Sequence, residues 1–341
     1  MIALTMWALF KDKDMLLIWR ELREVEPCFL VIGAAMVIAF VCCESLVLKM
    51  LLRTAKVNAP MRHCIRYSFI GFFYSMITPS ATGGQPMQIF HMRRHGIRVG
   101  TASVVLMIVT IEYKSVLIFT ALVILTFFRS LYLSFEPLVR VLFVLGLVLN
   151  VVFVAALAVL VFMPKLAHRL VRKIFAMLSK IRFLHLTEAR LNRVENSMNV
   201  YQEASGLIRS NMPTIIATQL LTFVQRLILF SLTWLVYVSL DLHGAHFISV
   251  TARQAVVSIS SDMLPTPGGL GFAEFTYMHV FLPVFGDELM TTVSLTMSRG
   301  FSYYFLVIVS GIVTFAAHIT MTVKGHRRRK KIREEALRKE E

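Results

Sequence analysis

The sequence has little of the charge that a soluble domain of its length carries. Only 16% of its 341 residues are charged and 57% are hydrophobic, and the mean hydropathy is +0.69. A soluble domain would be far more polar. Several apolar runs reach about 20 residues, long enough to cross a bilayer as helices. The period-2 alternation of a membrane β-barrel is absent. The composition therefore predicts an all-α polytopic integral membrane protein.

Cysteine and acidic residues are also scarce. Four cysteines, Cys28, Cys42, Cys43 and Cys64, occur without C-x-x-C spacing, which argues against a disulfide framework and a cysteine metal site. Asp and Glu number 20 against 36 Lys and Arg, so the formal net charge is +16. The basic residues lie between and after the apolar runs. This pattern indicates membrane orientation and contact with anionic lipid rather than nucleic-acid binding.

Five apolar runs are continuous and two are interrupted. We predict membrane spans at residues 28–52, 103–127, 137–163, 213–240 and 299–323. The interrupted runs cover residues 66–97 and 246–290, and polar basic stretches cover 164–210 and 324–341. The whole chain, 1–341, is predicted to be one membrane domain with halves 28–163 and 213–323. Residues 164–182 are expected to form an amphipathic helix on the cytoplasmic leaflet.

Basic residues are expected on the cytoplasmic side of a membrane. They flank the run 66–97 on both sides, so this run is expected to enter and leave from the cytoplasm. Span 213–240 leads outward to "DLHGAH" (241–246), which has no Lys or Arg, so the run 246–290 is expected to enter and leave from outside. Each half would then be a span, a broken re-entrant hairpin and a span. Two oppositely oriented hairpins of this kind suggest an inverted repeat, with the C-terminus in the cytoplasm.

Both interrupted runs place a proline before a Gly-Gly pair, in "TPSATGGQP" (78–86) and "LPTPGGLGF" (264–272). Broken backbone at membrane depth must be buried in protein or line a wet cavity, because lipid cannot pair its N–H and C=O groups. Glycine lets a ligand approach closely, and helix N-termini attract anions such as phosphate. Simple kinking is the alternative, since Gly and Pro are common in membrane helices. The candidate lipid-binding residues here are Ser80, Thr82, Gly83, Gly84, Gln85, Gly268 and Gly269, and the breakers are Pro79, Pro86, Pro265 and Pro267.

Charged side chains inside the apolar runs are a second group of candidates. Glu112 and Lys114 lie near the middle of one span and Arg226 in the middle of another. A charge at the bilayer centre costs about 2.5–3.5 kcal/mol on insertion scales, so such residues usually face the protein interior and have a role. Glu112 and Lys114 point about 200° apart on a helix, so each needs its own partner. We expect Arg226 for Glu112, and Glu274 or Asp262 for Lys114. Structural ion pairs are the alternative.

Other charged residues have less specific interpretations. Arg299 is expected either to bind a lipid phosphate or to anchor at the membrane interface, and Glu44, near a span end, is expected to be structural. His91 and His95 have i, i+4 spacing in "HMRRH". Three or four ligands are needed for zinc, so a basic interfacial turn is favoured over a metal site. No P-loop, dinucleotide fingerprint or nucleophile triad is found, so we expect no cofactor.

The chain also resembles a known family. "TPSATGGQPMQIFHMRRHGI" (78–97), "LPTPGGLGFAEF" (264–275) and "SRGFSYYF" (298–305) look like the membrane region of lysylphosphatidylglycerol synthases, the multiple peptide resistance factors of bacteria. This region also occurs alone in flippase-like membrane proteins. The resemblance implies movement of aminoacylated phosphatidylglycerol to the outer leaflet, while a separate cytoplasmic domain makes that lipid from aminoacyl-tRNA. The chain ends 18 residues after its last predicted span, so we expect no synthesis by the chain alone. The short apolar start suggests a shortened first helix.

These observations lead to three hypotheses. The first is a flippase-like protein of the bacterial cytoplasmic membrane that moves a phospholipid head group, such as that of lysylphosphatidylglycerol, by passive or ion-coupled transport. The second is a phosphatidylglycerol lysyltransferase, or its membrane subunit. The third is a lipid-binding scaffold. The expected partners are anionic or aminoacylated phospholipids, with a separate aminoacyl-lipid synthase and a second copy of the chain as further candidates. No direct nucleic-acid partner is expected.

Overall fold

The structure is a computed structural model that describes residues 15–163, 188–264 and 271–320. These residues form helices and no strand. Five of the helices are long and apolar enough to cross a membrane. The predicted all-α polytopic membrane bundle is therefore confirmed. The amphipathic helix predicted at 164–182 and the basic tail at 324–341 lie outside the described residues.

The helices are numbered here in chain order. Those before the connector are α1 (Met15–Glu24), α2 (Pro27–Thr54), α3 (Met61–Ile77), α4 (Gly84–Arg94), α5 (Val99–Phe127), α6 (Arg129–Ser134) and α7 (Pro137–Phe162). Those after it are α8 (Glu188–Arg209), α9 (Met212–Ser239), α10 (Phe247–Ser261), α11 (Phe272–Phe285) and α12 (Glu288–Thr320). A π-helical turn, Gly300–Phe305, interrupts α12.

Proline and capping side chains set several helix starts. Pro27 and Pro137 occupy the first positions of α2 and α7, where the missing N–H of proline costs no helical hydrogen bond. The Asn211 side chain caps α9 by accepting a hydrogen bond from Thr214 N at 3.3 Å. These signals are local, which is why four predicted spans agree closely with α2, α5, α7 and α9.

Two elements differ from the sequence prediction. The last span begins at Glu288 rather than at 299, because the Asp287 side chain accepts from Met290 N at 2.7 Å and starts a helix in a stretch of low hydropathy. Helix α1 was not predicted. It is short, and it buries Ile18, which is 2% exposed, while its charges remain at the surface.

Both interrupted runs form pairs of short helices. Helix α3 packs against α4, and α10 packs against α11. The longest of these four helices has 17 residues, or about 26 Å, which is shorter than the roughly 30 Å hydrocarbon core of a bilayer. The helix interruptions are therefore confirmed, while the side from which each hairpin enters the membrane stays a prediction.

Helices α5 and α9 organise the bundle. Helix α9 packs along α2 and also contacts α5, α10 and α12, and α5 contacts α2, α4, α7, α8 and α10. Three apolar clusters fill the spaces between these helices. Large apolar side chains remain exposed on the outer helices, for example Val141 at 61% and Phe315 at 70%. This outer surface suits lipid, and the interior is left for the polar residues.

Helices α7 and α10 cross closely at Gly146, where an added Cβ would meet the backbone of Ile259 and lie 3.3 Å from Ser260 Cα. We expect Gly146→Ala to lower the free energy of unfolding by about 1–3 kcal/mol, because backbone cannot move aside as a side chain can. Thermal unfolding in detergent measures the effect.

Gly206 in α8 provides the matched control, because an added Cβ there would meet nothing within 4 Å. Gly206→Ala should leave stability unchanged or raise it by up to about 1 kcal/mol through helix propensity. Equal unfolding temperatures for the two variants would contradict the close crossing.

Candidate functional site

A cavity of about 750 Å³ lies inside the bundle. Helices α2, α3, α4, α5, α7, α9, α10 and α12 line it, so both halves of the chain and both broken hairpins contribute. Apolar walls surround a polar interior. The ionisable side chains that face it, apart from tyrosines, are Glu44, Lys114, Arg226, Asp262 and Arg299.

The first break brings a turn to the cavity wall. The Thr78 hydroxyl accepts a hydrogen bond from Gly83 N at 2.9 Å, and a Cβ on Gly83 would lie 2.7 Å from the Thr78 methyl carbon. Gly84 packs against the carbonyl of Gly71 in α3, at 2.7 Å from an added Cβ. Both glycines therefore permit α4 to start directly beside α3. The two glycines do not line the cavity themselves, but they determine where the lining residues that follow them are placed.

The residues around these glycines do reach the cavity. Thr82, Gln85 and Pro86 line it, and Gln85 Nε2 donates to Thr110 Oγ1 of α5 at 2.5 Å. Pro79 starts a 3-10 turn, Pro79–Ala81. The Ser80 side chain lies outside the described part of the chain. So do Gly268, Gly269, Pro265 and Pro267, which fall within the omitted segment 265–270.

Lys114 is paired across the cavity with Asp262. Its Nζ donates to Asp262 Oδ2, and the neighbouring Tyr113 hydroxyl donates to Asp262 Oδ1. The side chains of this pair are 8% and 11% exposed. Of the two partners expected for Lys114, Glu274 and Asp262, the structure has Asp262. The pair joins α5 to the end of α10.

Arg226 lies between α9, α2 and α5. Its guanidinium carbon is 3.6 Å from the centroid of the Tyr113 ring and 5.3 Å from that of Phe40. Its Nε is buried and makes no hydrogen bond within the described residues. Glu44 accepts from Gln225 Nε2 at 3.4 Å and forms no ion pair within 4.0 Å of Arg226. Arg226 is thus a stacked cation whose charge no carboxylate contacts in the described chain.

Arg299 is held by Glu274. Its Nε lies 2.8 Å from Glu274 Oε1, while Gly271 N donates to Glu274 Oε2 at 2.5 Å. Glu274 is 2% exposed and lies behind the cavity wall, whereas Arg299 reaches the cavity. The pair fixes the start of α11 against α12. The two roles expected for Arg299, phosphate binding and interfacial anchoring, both stay predictions.

Glu112 differs from its expected role. The expected pairing with Arg226 is wrong, because Thr218 Oγ1 lies 2.5 Å from Glu112 Oε1 and no ion pair with Arg226 forms. Glu112 is 2% exposed and is not part of the cavity lining. Thr218 is an uncharged residue on another helix, and hydropathy does not distinguish it from other threonines. The sequence therefore gave no signal for this contact.

Sequence reasoning also missed several cavity residues. Glu44 was expected to be structural, yet it lines the cavity together with Thr110, Tyr113, Gln225 and Gln254. Glu44 and Arg226 were both visible as charges inside apolar runs. The neutral polar residues were not distinguishable from the many others in the chain.

His91 and His95 do not line this cavity. The rings of His95 and His63 stack at 4.2 Å, and His95 Nδ1 is 2.7 Å from the Tyr67 hydroxyl. His91 is 1% exposed, with its ring 5.7 Å from that of His318. In the described part of the chain, no group of three His, Cys, Asp or Glu has metal-binding geometry.

The Lys114–Asp262 pair yields a stability prediction. Asp262→Ala should lower the free energy of unfolding by about 3–5 kcal/mol, because it leaves a buried ammonium without its partner. Replacing both residues, with Lys114→Met and Asp262→Leu together, should recover most of this loss. A double-mutant cycle on thermal unfolding in detergent measures both effects, and additive losses would contradict the pairing.

Comparison with known proteins agrees with this architecture. The family described as "Lysylphosphatidylglycerol synthase TM region" matches residues 1–310. A "UPF0104 membrane protein" of Archaeoglobus fulgidus is 21% identical over 283 residues, covering 80% of this chain and 82% of that protein. The resemblance to this family, which was noted from segments 78–97, 264–275 and 298–305, is confirmed. The chain belongs to the family of lysylphosphatidylglycerol synthase transmembrane regions.

Proposed function

We propose that this membrane protein moves a phospholipid head group between leaflets through the cavity, while the acyl chains stay in the bilayer. The observation that carries the proposal is Arg226, which stacks on Tyr113 inside the cavity without a carboxylate partner in the described chain. The charge of Glu44 acts on Arg226 from beyond ion-pair distance, and a buried cation that no carboxylate contacts is costly. The phosphate of a lipid would supply that contact through paired hydrogen bonds to the guanidinium.

The size and charge of the cavity support an anionic or aminoacylated head group. About 750 Å³ falls within the range of small-molecule sites, roughly 300–1,000 Å³. Lys114 and Arg299 are already balanced by Asp262 and Glu274, which leaves Arg226 as the phosphate contact. Glu44 accepts a hydrogen bond from Gln225 at 3.4 Å, and the charge of Arg226 acts on it from more than 4.0 Å away. An ammonium on an aminoacylated head group would meet Glu44.

The two helix breaks would shape the route that the lipid head group takes through the cavity. Gly83 and Gly84 let α4 start beside α3, and Gln85 then reaches the cavity. Gly268 and Gly269, which lie outside the described residues, stay the proposed lipid-binding residues of the second break. Opposed hairpins would give access from both leaflets in turn, as in inverted-repeat transporters. We place the protein in the bacterial cytoplasmic membrane with its C-terminus inside, because the basic segments favour the cytoplasm.

The test is a lipid-movement assay on purified protein in liposomes with fluorescent phosphatidylglycerol and lysylphosphatidylglycerol, read by dithionite quenching of the outer leaflet. Arg226→Ala should abolish movement while the protein stays folded. Arg226→Lys should recover only part of the rate, because a lysine keeps the charge but loses the planar fork and the ring stacking.

Arg209→Ala is the matched control, since Arg209 is an exposed arginine at the end of α8, outside the cavity lining. It should move lipid at the wild-type rate. Wild-type movement in Arg226→Ala would remove Arg226 from the site. Equal loss in Arg209→Ala would point to surface charge and to the scaffold hypothesis.

The family description favours a second candidate, a phosphatidylglycerol lysyltransferase or its membrane subunit. Lipid extraction from a host without aminoacylated lipids distinguishes the two. Expression of the chain alone should yield no lysyl-lipid. With a separate synthase, lysyl-lipid should reach the outer leaflet only when this chain is present. New lysyl-lipid from the chain alone would establish the enzyme instead.

A further inference from the structure

Glu112 is a buried acid on the face of α5 that packs against α9. Its side chain is 2% exposed. Thr218 Oγ1 lies 2.5 Å from its Oε1, and Gln219 Nε2 donates to its backbone carbonyl at 3.2 Å. Its Oε2 is buried and has no hydrogen-bond partner within the described residues. The carboxyl group is therefore enclosed with fewer donors than an ionised carboxylate requires.

The hydrogen bonds of the Thr218 hydroxyl indicate whether the proton of the Thr218–Glu112 contact comes from Thr218 or from Glu112. It has one proton but three oxygens in reach: Glu112 Oε1 at 2.5 Å, Thr214 O at 2.9 Å and Ile215 O at 3.1 Å. A threonine inside a helix commonly donates to a carbonyl of the preceding turn. When Thr218 does so, Glu112 must supply the proton of the 2.5 Å contact. The hydrogen bonds are then satisfied by a neutral Glu112.

No basic group supplies a counter-charge to Glu112. The Thr222 hydroxyl is a second side-chain donor near the carboxyl group, and in this structure it donates to the carbonyl of Thr218 at 2.9 Å. No Lys, Arg or His nitrogen of the described chain lies within 4.0 Å of the Glu112 oxygens. An unpaired carboxylate in the membrane interior is costly. Ionisable side chains also occur on the helices packed against α5, and none of the following is an ion-pair or hydrogen-bond partner of Glu112. They are Glu44 (α2), His91 (α4), Arg140 (α7), Glu203 (α8), Arg226 (α9) and Asp262 (after α10).

We propose that Glu112 is a proton-binding site that couples head-group movement to the proton gradient; the coupling rests on the proposed function. One proton adds to the carboxylate to give the neutral acid, whose O–H donates to Thr218 Oγ1. The chain neighbours Thr110, Tyr113 and Lys114 line the cavity, and so do Thr222 and Gln225, farther along α9. The interface that encloses Glu112 is thus built from the helices that form the cavity wall.

The direction of the coupling follows from solvation. The neutral acid stabilises the closed α5–α9 interface. Separation of the two helices would admit water, which favours the carboxylate, and the proton would then leave. Low pH therefore favours the closed arrangement and high pH the open one. A state-dependent proton affinity of this kind is what links a gradient to a conformational equilibrium.

The first experiment measures the proton directly and needs no transport. Infrared difference spectra of the full chain in lipid, wild type minus Glu112→Gln near neutral pH, should contain the C=O stretch of a protonated carboxylic acid, shifted in D₂O. Glu203→Gln is the control, because Glu203 is 63% exposed and pairs with Arg98 at 3.8 Å; its difference spectrum should show a carboxylate band only. A carboxylate band for Glu112 would overturn the proposal.

The second experiment imposes a pH gradient on liposomes that contain fluorescent phosphatidylglycerol. The wild-type rate should change several-fold when the gradient is reversed. Glu112→Asp should keep that response, because it keeps a titratable group, and Glu112→Gln should lose it while still moving lipid. A wild-type rate indifferent to the gradient, or a full response in Glu112→Gln, would overturn the coupling. No movement in wild type would refute the proposed function and the coupling together, while the acid band would still establish the proton site.

Discussion

The arrangement of this bundle depends on one constraint: charges and broken backbone within a membrane must be satisfied by the protein itself, because hydrocarbon offers neither water nor counter-ions. The Lys114–Asp262 and Arg299–Glu274 pairs meet this requirement, and each joins elements that are separate in the chain. Removing one partner of a buried pair costs more than the intact pair contributes. Such pairs therefore specify which helices must meet, and the cavity is the polar space left between them.

The helix breaks follow from the same constraint at the backbone level. Thr78 accepts a hydrogen bond from Gly83 N, which satisfies a donor that a continuous helix would have paired internally. Gly84 then lies against the carbonyl of Gly71, so α3 and α4 approach more closely than side chains would allow. This close approach directs Gln85 toward Thr110 of α5. A chemical requirement of the backbone thus determines which side chain reaches the cavity.

Hydropathy was sufficient to predict α2, α5, α7 and α9, since length and apolar character are local properties. The sequence limited the partner of Lys114 to Glu274 or Asp262, the carboxylates that flank the second break, and the structure pairs it with Asp262. The partner of Glu112 was not, because Thr218 is neutral and resembles the other threonines of the chain. Glu44 was misread since distance along a span does not determine which face of the helix a residue occupies. The start of α12 was missed because a capping aspartate outweighed low hydropathy.

The two charged residues of α5 serve opposite surfaces of one helix. Two residues along a helix correspond to about 200° of rotation, and accordingly Lys114 meets Asp262 across the cavity while Glu112 faces Thr218 on α9. Tyr113, between them, donates to Asp262 and also stacks under Arg226 of α9. Any rotation of α5 relative to α9 therefore disturbs the enclosed acid and the cation contacts of the cavity at once. A rigid helix is enough to connect the two surfaces, without a chain of side-chain rearrangements between them.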